Sequence, residues 1–141
     1  MQSIKSYLDY FKVEANFNVR RFKKDLYHVE GEAREFVDKN KHRPYAAGML
    51  LGRQEKNRFK PSAAFLNYLS KHSNKKIVVD DELEWLFVCK RDLFTDKILQ
   101  GQEHKGMVLV QNKHDENLGL ATKQGDIYKN LFDIGNFLRR E

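Results

Sequence analysis

From residue 77 onwards, short apolar segments alternate with polar turns, and this spacing constrains the fold more than any other feature of the sequence. Ile77–Val79 is β-branched and Met107–Val110 is apolar throughout, so both segments are predicted to be buried strands. Further short strands are predicted at Leu118–Ala121 and Ile127–Phe132, with a turn at Lys123–Asp126 between them. One strand, one helix and then several short strands spaced by turns predict a small mixed β-barrel.

The helix of this half is predicted to follow the acidic run at residues 80–84. Asp81 with Glu84 three residues later predicts a capping box, and negative charge suits a helix N-terminus. We therefore interpret the acidic run as capping rather than as a metal or acid–base site. The predicted buried face consists of Leu83, Leu86 and Phe87. Trp85 is interpreted as a further core residue, with stacking on a base as the alternative.

The first half of the chain predicts a small α/β domain. The apolar spacing of Ile4, Leu8 and Phe11 predicts a helix over residues 3–11. The other elements predicted here are strands at Phe17–Phe22, Leu26–Val29 and Tyr45–Leu51, a short helix at Glu32–Lys39, a bend at Gly52, and a helix that Pro61 opens. Linker-like residues Lys71–Lys75 mark the predicted boundary, which gives domains 1–72 and 75–141. The expected fold class is α+β.

The positive charge of the chain is carried by its first half. The net charge is +6, and the pI is near 9.4. Residues 1–72 contain 15 Lys and Arg against 8 Asp and Glu, whereas residues 73–141 contain 11 against 12. A basic balance attracts polyanions, of which nucleic acid is the commonest. We therefore expect any electrostatic contact with RNA to involve the first half.

Two basic segments are the leading candidates for such contact. Arg20, Arg21, Lys23 and Lys24 lie on or beside a predicted strand, where successive residues face opposite sides and cannot all share one surface. The second segment is predicted to be a connection between a strand and a helix, so that its cations reach solvent together and contact phosphates without reading sequence. Its cations are Arg53, Lys56, Arg58 and Lys60. A solvated loop without a ligand is the alternative.

Signatures of catalysis and of metal binding are absent from the sequence. It contains no nucleophile elbow, no phosphate-binding glycine loop and no zinc-protease motif. His104 and His114 flank a predicted strand, but the scattered histidines and the single cysteine lack zinc-ligand spacing. Cys89 is interpreted as a structural thiol. We expect neither an enzyme nor a bound cofactor or metal.

Several segments resemble the Nip-seven family of ribosome biogenesis factors, in particular its archaeal members. The resemblance is carried by Leu51–Arg53, Arg58–Ser62 and Leu66–Leu69 before the boundary, and by Lys76–Val79, Glu84–Phe87, Gly106–Val110, Leu118–Ala121 and Asn130–Arg140 after it. It implies a pre-PUA domain followed by a PUA domain that binds RNA, with no catalytic activity. It also implies work on precursor ribosomal RNA during assembly of the large subunit.

The resemblance also implies where RNA is contacted. The expected surface combines the segment after the first PUA helix with the basic end of the chain, and its cations are Lys90, Arg91, Lys97, Lys129, Arg139 and Arg140. Family members carry glycine in that segment, whereas Leu93–Lys97 has none and includes Asp96. Together with the charge distribution, this departure favours an RNA surface shared with the basic segment at Arg53–Lys60.

Two other functions are compatible with the sequence. Arg58–Ser62 is similar to a stretch in PUA-like modules that accompany ribosomal-RNA cytosine methyltransferases, so the chain could be a detached accessory module. A protein-interaction adaptor is the alternative from another class. We expect a cytoplasmic monomer, because one cysteine cannot form an internal disulfide and no signal peptide or membrane span is predicted. The expected partners are ribosomal RNA or its precursor and other ribosome assembly proteins, and no membrane.

Overall fold

The computed structural model describes residues 3–29 and 48–135 of the chain. The chain divides into two compact units, Met1–Phe65 and Leu66–Glu141. Both contain helices and a β-sheet, so the α+β class is confirmed. The predicted helix Glu32–Lys39 falls outside the described residues, and so does the end of the segment Asn130–Arg140. No helix in the described part is long and apolar enough to cross a membrane.

The N-terminal unit contains a four-stranded antiparallel sheet with helix α1 at Ile4–Phe11. Ser3 caps α1, because its Oγ accepts a hydrogen bond from the N–H of Ser6 at 3.1 Å. The strands are β1 (Val19–Phe22), β2 (Asp25–Val29), β3 (Gly48–Glu55) and β4 (Arg58–Pro61), and they lie in chain order across the sheet. Each strand therefore pairs with the strand that comes before or after it in the chain.

Aromatic rings fill much of the core of this unit. Tyr7 of α1 meets Phe59 of β4 and Phe65 edge-on, with ring centroids 5.8 and 6.2 Å apart. Phe59 and Phe65 pack edge-on at 5.9 Å, and both are fully buried. Such pairs add about 0.5–1.5 kcal/mol to the effect of burial. The predicted stripe on α1 is confirmed at Phe11, which is buried, whereas Ile4 and Leu8 are only half-buried and Tyr7, outside the predicted stripe, is buried.

Two predictions about residues 52–62 were wrong. Gly52 does not bend the chain but lies inside β3, where its φ is +156° and a β-carbon would collide with the ring of Phe59. Pro61 ends β4 instead of opening a helix. The helix α2 spans Ala63–His72, and its cap is Ser62, whose Oγ accepts a hydrogen bond from the N–H of Phe65 at 3.0 Å.

The C-terminal unit is built on a five-stranded, curled sheet. Its strands are β5 (Lys76–Val78), β6 (Leu93–Phe94), β7 (Met107–Gln111), β8 (Asn117–Gln124) and β9 (Ile127–Asp133), in the spatial order β5-β7-β8-β9-β6. The pair β5–β7 is parallel and the others are antiparallel. A short 3₁₀ helix follows β6 at Thr95–Lys97. This curled half-barrel agrees with the predicted mixed barrel.

Helix α3 (Asp81–Val88) packs against this sheet. Its cap is Asp80 rather than the predicted Asp81, because an Oδ1 of Asp80 accepts a hydrogen bond from the N–H of Leu83 at 2.9 Å. Leu83 and Phe87 are buried as predicted. The core they join is mostly aliphatic and includes Ile77, Val79, Leu93, Val108, Val110 and Leu118.

Candidate nucleic-acid interface

The basic segment at residues 53–60 is not an open connection between a strand and a helix, as predicted, but a β-hairpin. Strands β3 and β4 join through a two-residue turn at Lys56–Asn57. Buried and exposed residues alternate along β4, with Phe59 and Pro61 buried and Arg58 and Lys60 exposed. Period-two alternation is the signature of a half-buried strand. This alternation is present in the sequence, but the many charged residues of the segment led to the prediction of an open connection.

The hairpin places three of the four predicted cations of this segment on one exposed face. In the register of the two strands, Arg53 lies opposite Lys60 and Glu55 lies opposite Arg58. Directly paired residues on antiparallel strands point to the same side, so all four side chains share that face. The Nε of Arg53 lies 3.7 Å from a carboxylate oxygen of Glu55. Like charges face each other at Arg53 and Lys60, an arrangement that a bound polyanion relieves.

The first basic segment reaches the same end of the sheet. Strands β1 and β2 join through the two-residue turn Lys23–Lys24. Because β2 runs antiparallel to both of its neighbours, this turn and the Lys56–Asn57 turn lie at one end. A hydrogen bond connects this turn with β3, since the N–H of Gln54 donates to the carbonyl of Lys24 at 2.7 Å.

A groove of about 760 Å³ opens between the two turns, and we call it the basic groove. Its lining residues are Arg21, Lys24, Gln54, Glu55, Lys56, Asn57 and Arg58. Four of these seven carry positive charge and one carries negative charge. Arg20 and Lys23 do not line the groove, in keeping with the prediction that the first basic segment is divided between surfaces.

The remaining predicted cations lie in the C-terminal unit. Lys90 and Arg91 follow α3, Lys97 ends the 3₁₀ helix and Lys129 lies on β9, and all four are exposed. Pairing of β6 with β9 brings the segment after α3 close to β9. Carboxylates lie between these cations in the chain, at Asp92, Asp96 and Asp126. The predicted residues Arg139 and Arg140 lie outside the described residues.

This surface of the C-terminal unit is held in place by side-chain contacts to the backbone. A carboxylate oxygen of Asp92 accepts a hydrogen bond from the N–H of Asn130 at 2.8 Å. The amide of Asn130 donates to the carbonyl of Phe87 at the end of α3, at 2.9 Å. The second contact gives the carbonyl of Phe87 a donor in addition to the N–H of Lys90, at the end of the helix where intrahelical donors run out. The two contacts fix the start of the segment after α3 against β9.

Comparisons with known proteins classify this C-terminal region. Residues 75–141, slightly under half of the chain, match the model of the UPF0113 PUA domain. A PUA domain typically binds RNA, so the match supports a general RNA-binding role for the chain and a binding rather than a catalytic domain. No curated protein matches the chain. The finer resemblance to the Nip-seven family stays a prediction.

A solved structure extends the similarity of fold to the whole chain. The structure of a conserved PUA domain protein from Thermoplasma acidophilum aligns with 98% of this chain and 95% of its own, with a TM-score of 0.52. The sequence identity is 15%, so this similarity concerns the fold alone.

Trp85 is exposed, which corrects its assignment to the core. Its relative exposure is 67%, and Leu86, predicted to be buried, is 36% exposed. Leu83 and Phe87 set the buried face of α3, and Trp85 falls about 200° from Leu83 around a helix with 3.6 residues per turn. Asp81 and Glu82 lie one turn before Trp85, so this face of α3 is apolar and acidic. That charge disfavours RNA here.

The other candidate side chains form no site of their own. Among the described residues, no group of three or more His, Cys, Asp or Glu is placed to hold a metal ion. Cys89 is exposed at the end of α3. His104 pairs locally with Glu103 at 3.5 Å, and the Nδ1 of His28 accepts a hydrogen bond from the N–H of Asn18.

Two buried tyrosines have raised pKa values. Burial raises the pKa of Tyr7, and the nearby positive charge of Arg58 acts in the opposite direction. Burial also raises the pKa of Tyr128, and the negative charge of Glu103 adds to this effect. Both phenols are therefore neutral at physiological pH.

The sequence predicted Lys56 and Arg58 as RNA contacts, whereas Arg21 and Lys24 were noted only as members of a basic segment that could not share one surface. A signal for these residues was present. Lys23–Lys24 and Lys56–Asn57 are two-residue polar breaks of the length that hairpin turns use, and Phe59 and Pro61 alternate with Arg58 and Lys60 after the second break. When the inner strands of two neighbouring hairpins, here β2 and β3, pair antiparallel, the turns of both hairpins lie at the same end of the sheet.

Proposed function

We propose that this chain is a non-catalytic RNA-binding protein that acts in biogenesis of the large ribosomal subunit. The observation that carries the proposal is the match of residues 75–141 to a PUA domain. The resemblance of both halves to the Nip-seven family supports the more specific role and suggests precursor ribosomal RNA as the ligand. Other ribosome assembly proteins are the expected partners.

In this proposal the chain comprises a pre-PUA domain at residues 1–72 and a PUA domain at residues 75–141. RNA contacts come from two sets of cations. Arg53, Lys56, Arg58 and Lys60 belong to the first domain, and Lys90, Arg91, Lys97, Lys129, Arg139 and Arg140 belong to the second. The exposure of every described member of these sets supports their assignment. Phosphate contacts of this kind position an RNA without reading its sequence.

The test is ultraviolet crosslinking of the tagged full chain in growing cells, followed by sequencing of the attached RNA. We expect enrichment of reads from large-subunit ribosomal RNA and its precursors over small-subunit and messenger RNA. A variant with Glu in place of Lys56, Arg58, Lys97 and Lys129 serves as the control and should lose the enrichment. Crosslinks spread in proportion to RNA abundance, or none above background, would contradict the proposal.

Exposed Trp85 favours one alternative, a protein-interaction adaptor. Its acidic and apolar surroundings suit a basic protein segment, since Arg stacks on Trp and pairs with carboxylates. In this alternative, purified assembly factors bind the full chain after nuclease treatment and lose affinity in a Trp85→Ala variant. If binding depends on intact RNA instead, the adaptor alternative fails.

A further inference from the structure

We propose that the basic groove binds the sugar–phosphate backbone of RNA, with Arg21 and Lys24 acting together with Lys56 and Arg58. The proposal rests on the proposed function that the chain binds RNA. It goes further by assigning a defined site in the N-terminal unit, outside the PUA match, and by specifying which chemical group of the RNA is bound.

The charge of the groove suits a polyanion better than a single small ion. Four cations converge on one cavity from two turns that are far apart in sequence. Glu55 is the one carboxylate among the seven lining residues, and its carboxylate also pairs with Arg53 at 3.7 Å. Bringing four positive side chains together without an equal number of carboxylates costs free energy, which a row of phosphates offsets.

The lining also distinguishes the RNA backbone from the bases. None of the seven lining residues is aromatic, so the groove lacks the aromatic platforms on which the bases of single-stranded RNA usually stack. Arg and Lys side chains, with the amides of Gln54 and Asn57, are the groups that most often contact phosphate and sugar. The groove should therefore discriminate little between RNA sequences.

The turns that carry these cations are fixed before any ligand binds. The N–H of Gln54 donates to the carbonyl of Lys24 at 2.7 Å, which fastens one turn to β3. The Nε of Arg21 donates to the carbonyl of Lys23 at 2.6 Å, and the amide of Gln54 donates to the carbonyl of Arg58 at 3.2 Å. Preorganised cations lose less conformational entropy when they bind.

The test uses the full chain and two labelled RNA hairpins of equal length and different sequence, with fluorescence anisotropy across a salt series. Four variants each change one groove cation: Arg21→Gln, Lys24→Gln, Lys56→Gln and Arg58→Gln. Lys5→Gln, an exposed cation of α1 outside the groove, is the matched control. Circular dichroism checks that each variant is folded, which we expect because all of these side chains are exposed.

Each groove variant should bind both hairpins about 3- to 10-fold more weakly at low salt. The slope of log K against log salt should fall by about one in magnitude for each cation removed. The control should stay within about twofold of the unmodified chain. Polyglutamate at equal charge concentration should displace little RNA, because it lacks the sugar–phosphate geometry.

Three results would overturn the inference, and they are distinguishable from one another. If the unmodified chain binds RNA and the groove variants bind equally well, the groove assignment fails while the proposed function stands. If polyglutamate competes as well as RNA, the groove does not distinguish the sugar–phosphate backbone from another polyanion, and its assignment as a backbone site fails. If the unmodified chain binds neither hairpin even at low salt, direct RNA binding and the groove assignment fail together.

Discussion

The two units of the molecule arrange their charges in opposite ways. In the N-terminal unit, cations from two hairpin turns converge on one groove in which a single lining residue is acidic. In the C-terminal unit, Lys and Arg are balanced by Asp and Glu, and several are paired: Lys76 with Asp115 at 3.4 Å and Lys113 with Asp81 at 3.7 Å. The PUA match is to the unit with little net charge.

This difference suggests a division of labour in RNA binding. Electrostatic attraction to phosphates supplies affinity that depends strongly on salt and little on sequence. The uncompensated cations of the basic groove are suited to that contribution. The cations of the C-terminal surface are interspersed in the chain with Asp92, Asp96 and Asp126, so its contribution should depend more on shape and on specific contacts. If the two units contribute in this way, charge changes in the basic groove should reduce RNA affinity more than equivalent changes in the C-terminal unit.

The largest effect is expected from reversing two charges in the basic groove. Lys24→Glu combined with Arg58→Glu removes two cations, one from each hairpin, and adds two repulsive charges. We expect RNA affinity to fall about 100-fold at low salt, measured by fluorescence anisotropy. A loss below about fivefold would show that the groove does not supply the affinity.

A smaller effect is expected from the equivalent change in the C-terminal unit. Lys97→Glu with Lys129→Glu reverses the same number of charges on a surface that already contains Asp92, Asp96 and Asp126. The expected loss is about tenfold, with a smaller change in the salt slope than for the groove pair. The comparison breaks if this pair costs as much affinity as the groove pair, or more.

A gain of affinity is expected when the carboxylate of the groove is removed. Glu55→Gln removes the carboxylate that lines the groove beside its four cations and releases Arg53 from its ion pair. RNA binding should tighten about threefold and become steeper in salt. Glu14→Gln provides the control, because Glu14 is exposed in the same unit but outside the basic groove. Equal gains for both variants would indicate a general effect of net charge.

The smallest effect is expected at Trp85. Because this side chain is exposed on an acidic face, Trp85→Ala should change the free energy of unfolding by less than about 0.5 kcal/mol and RNA affinity by less than twofold. Phe87→Ala, on the buried face of the same helix, should cost about 3–5 kcal/mol in a denaturant titration. A fivefold loss of RNA affinity in Trp85→Ala would place RNA on α3.

The barrel half of the fold was largely predictable because its apolar segments are short and separated by turn residues. Periodicity also predicted α3, but it did not fix which residues face the core. Trp85 was assigned inward because it is large and apolar, whereas the positions of Leu83 and Phe87 around the helix turn Trp85 outward. The structure has Asp80 as the N-cap where the sequence predicted Asp81, because either of two successive aspartates can cap a helix and the sequence alone does not distinguish them.

The candidate site was predicted less completely. Lys56 and Arg58 were identified from charge, yet the segment was taken for an open loop because its cations concealed the alternation of Phe59 and Pro61 with polar residues. Arg21 and Lys24 were recognised as part of a basic segment, but their place beside Lys56 and Arg58 was not predicted, because the groove depends on strand order and register. That order brings two turns together across the sheet, which is a long-range property that local sequence does not contain.

The measurement that most directly tests where RNA binds is an NMR titration of the isotopically labelled full chain with an unlabelled hairpin from large-subunit ribosomal RNA. The account predicts large shifts for the backbone amides of residues 21–24 and 54–58, and an unmoved indole signal from Trp85. RNA binding with shifts concentrated at residues 81–89, and none at the two turns of the N-terminal sheet, would contradict it.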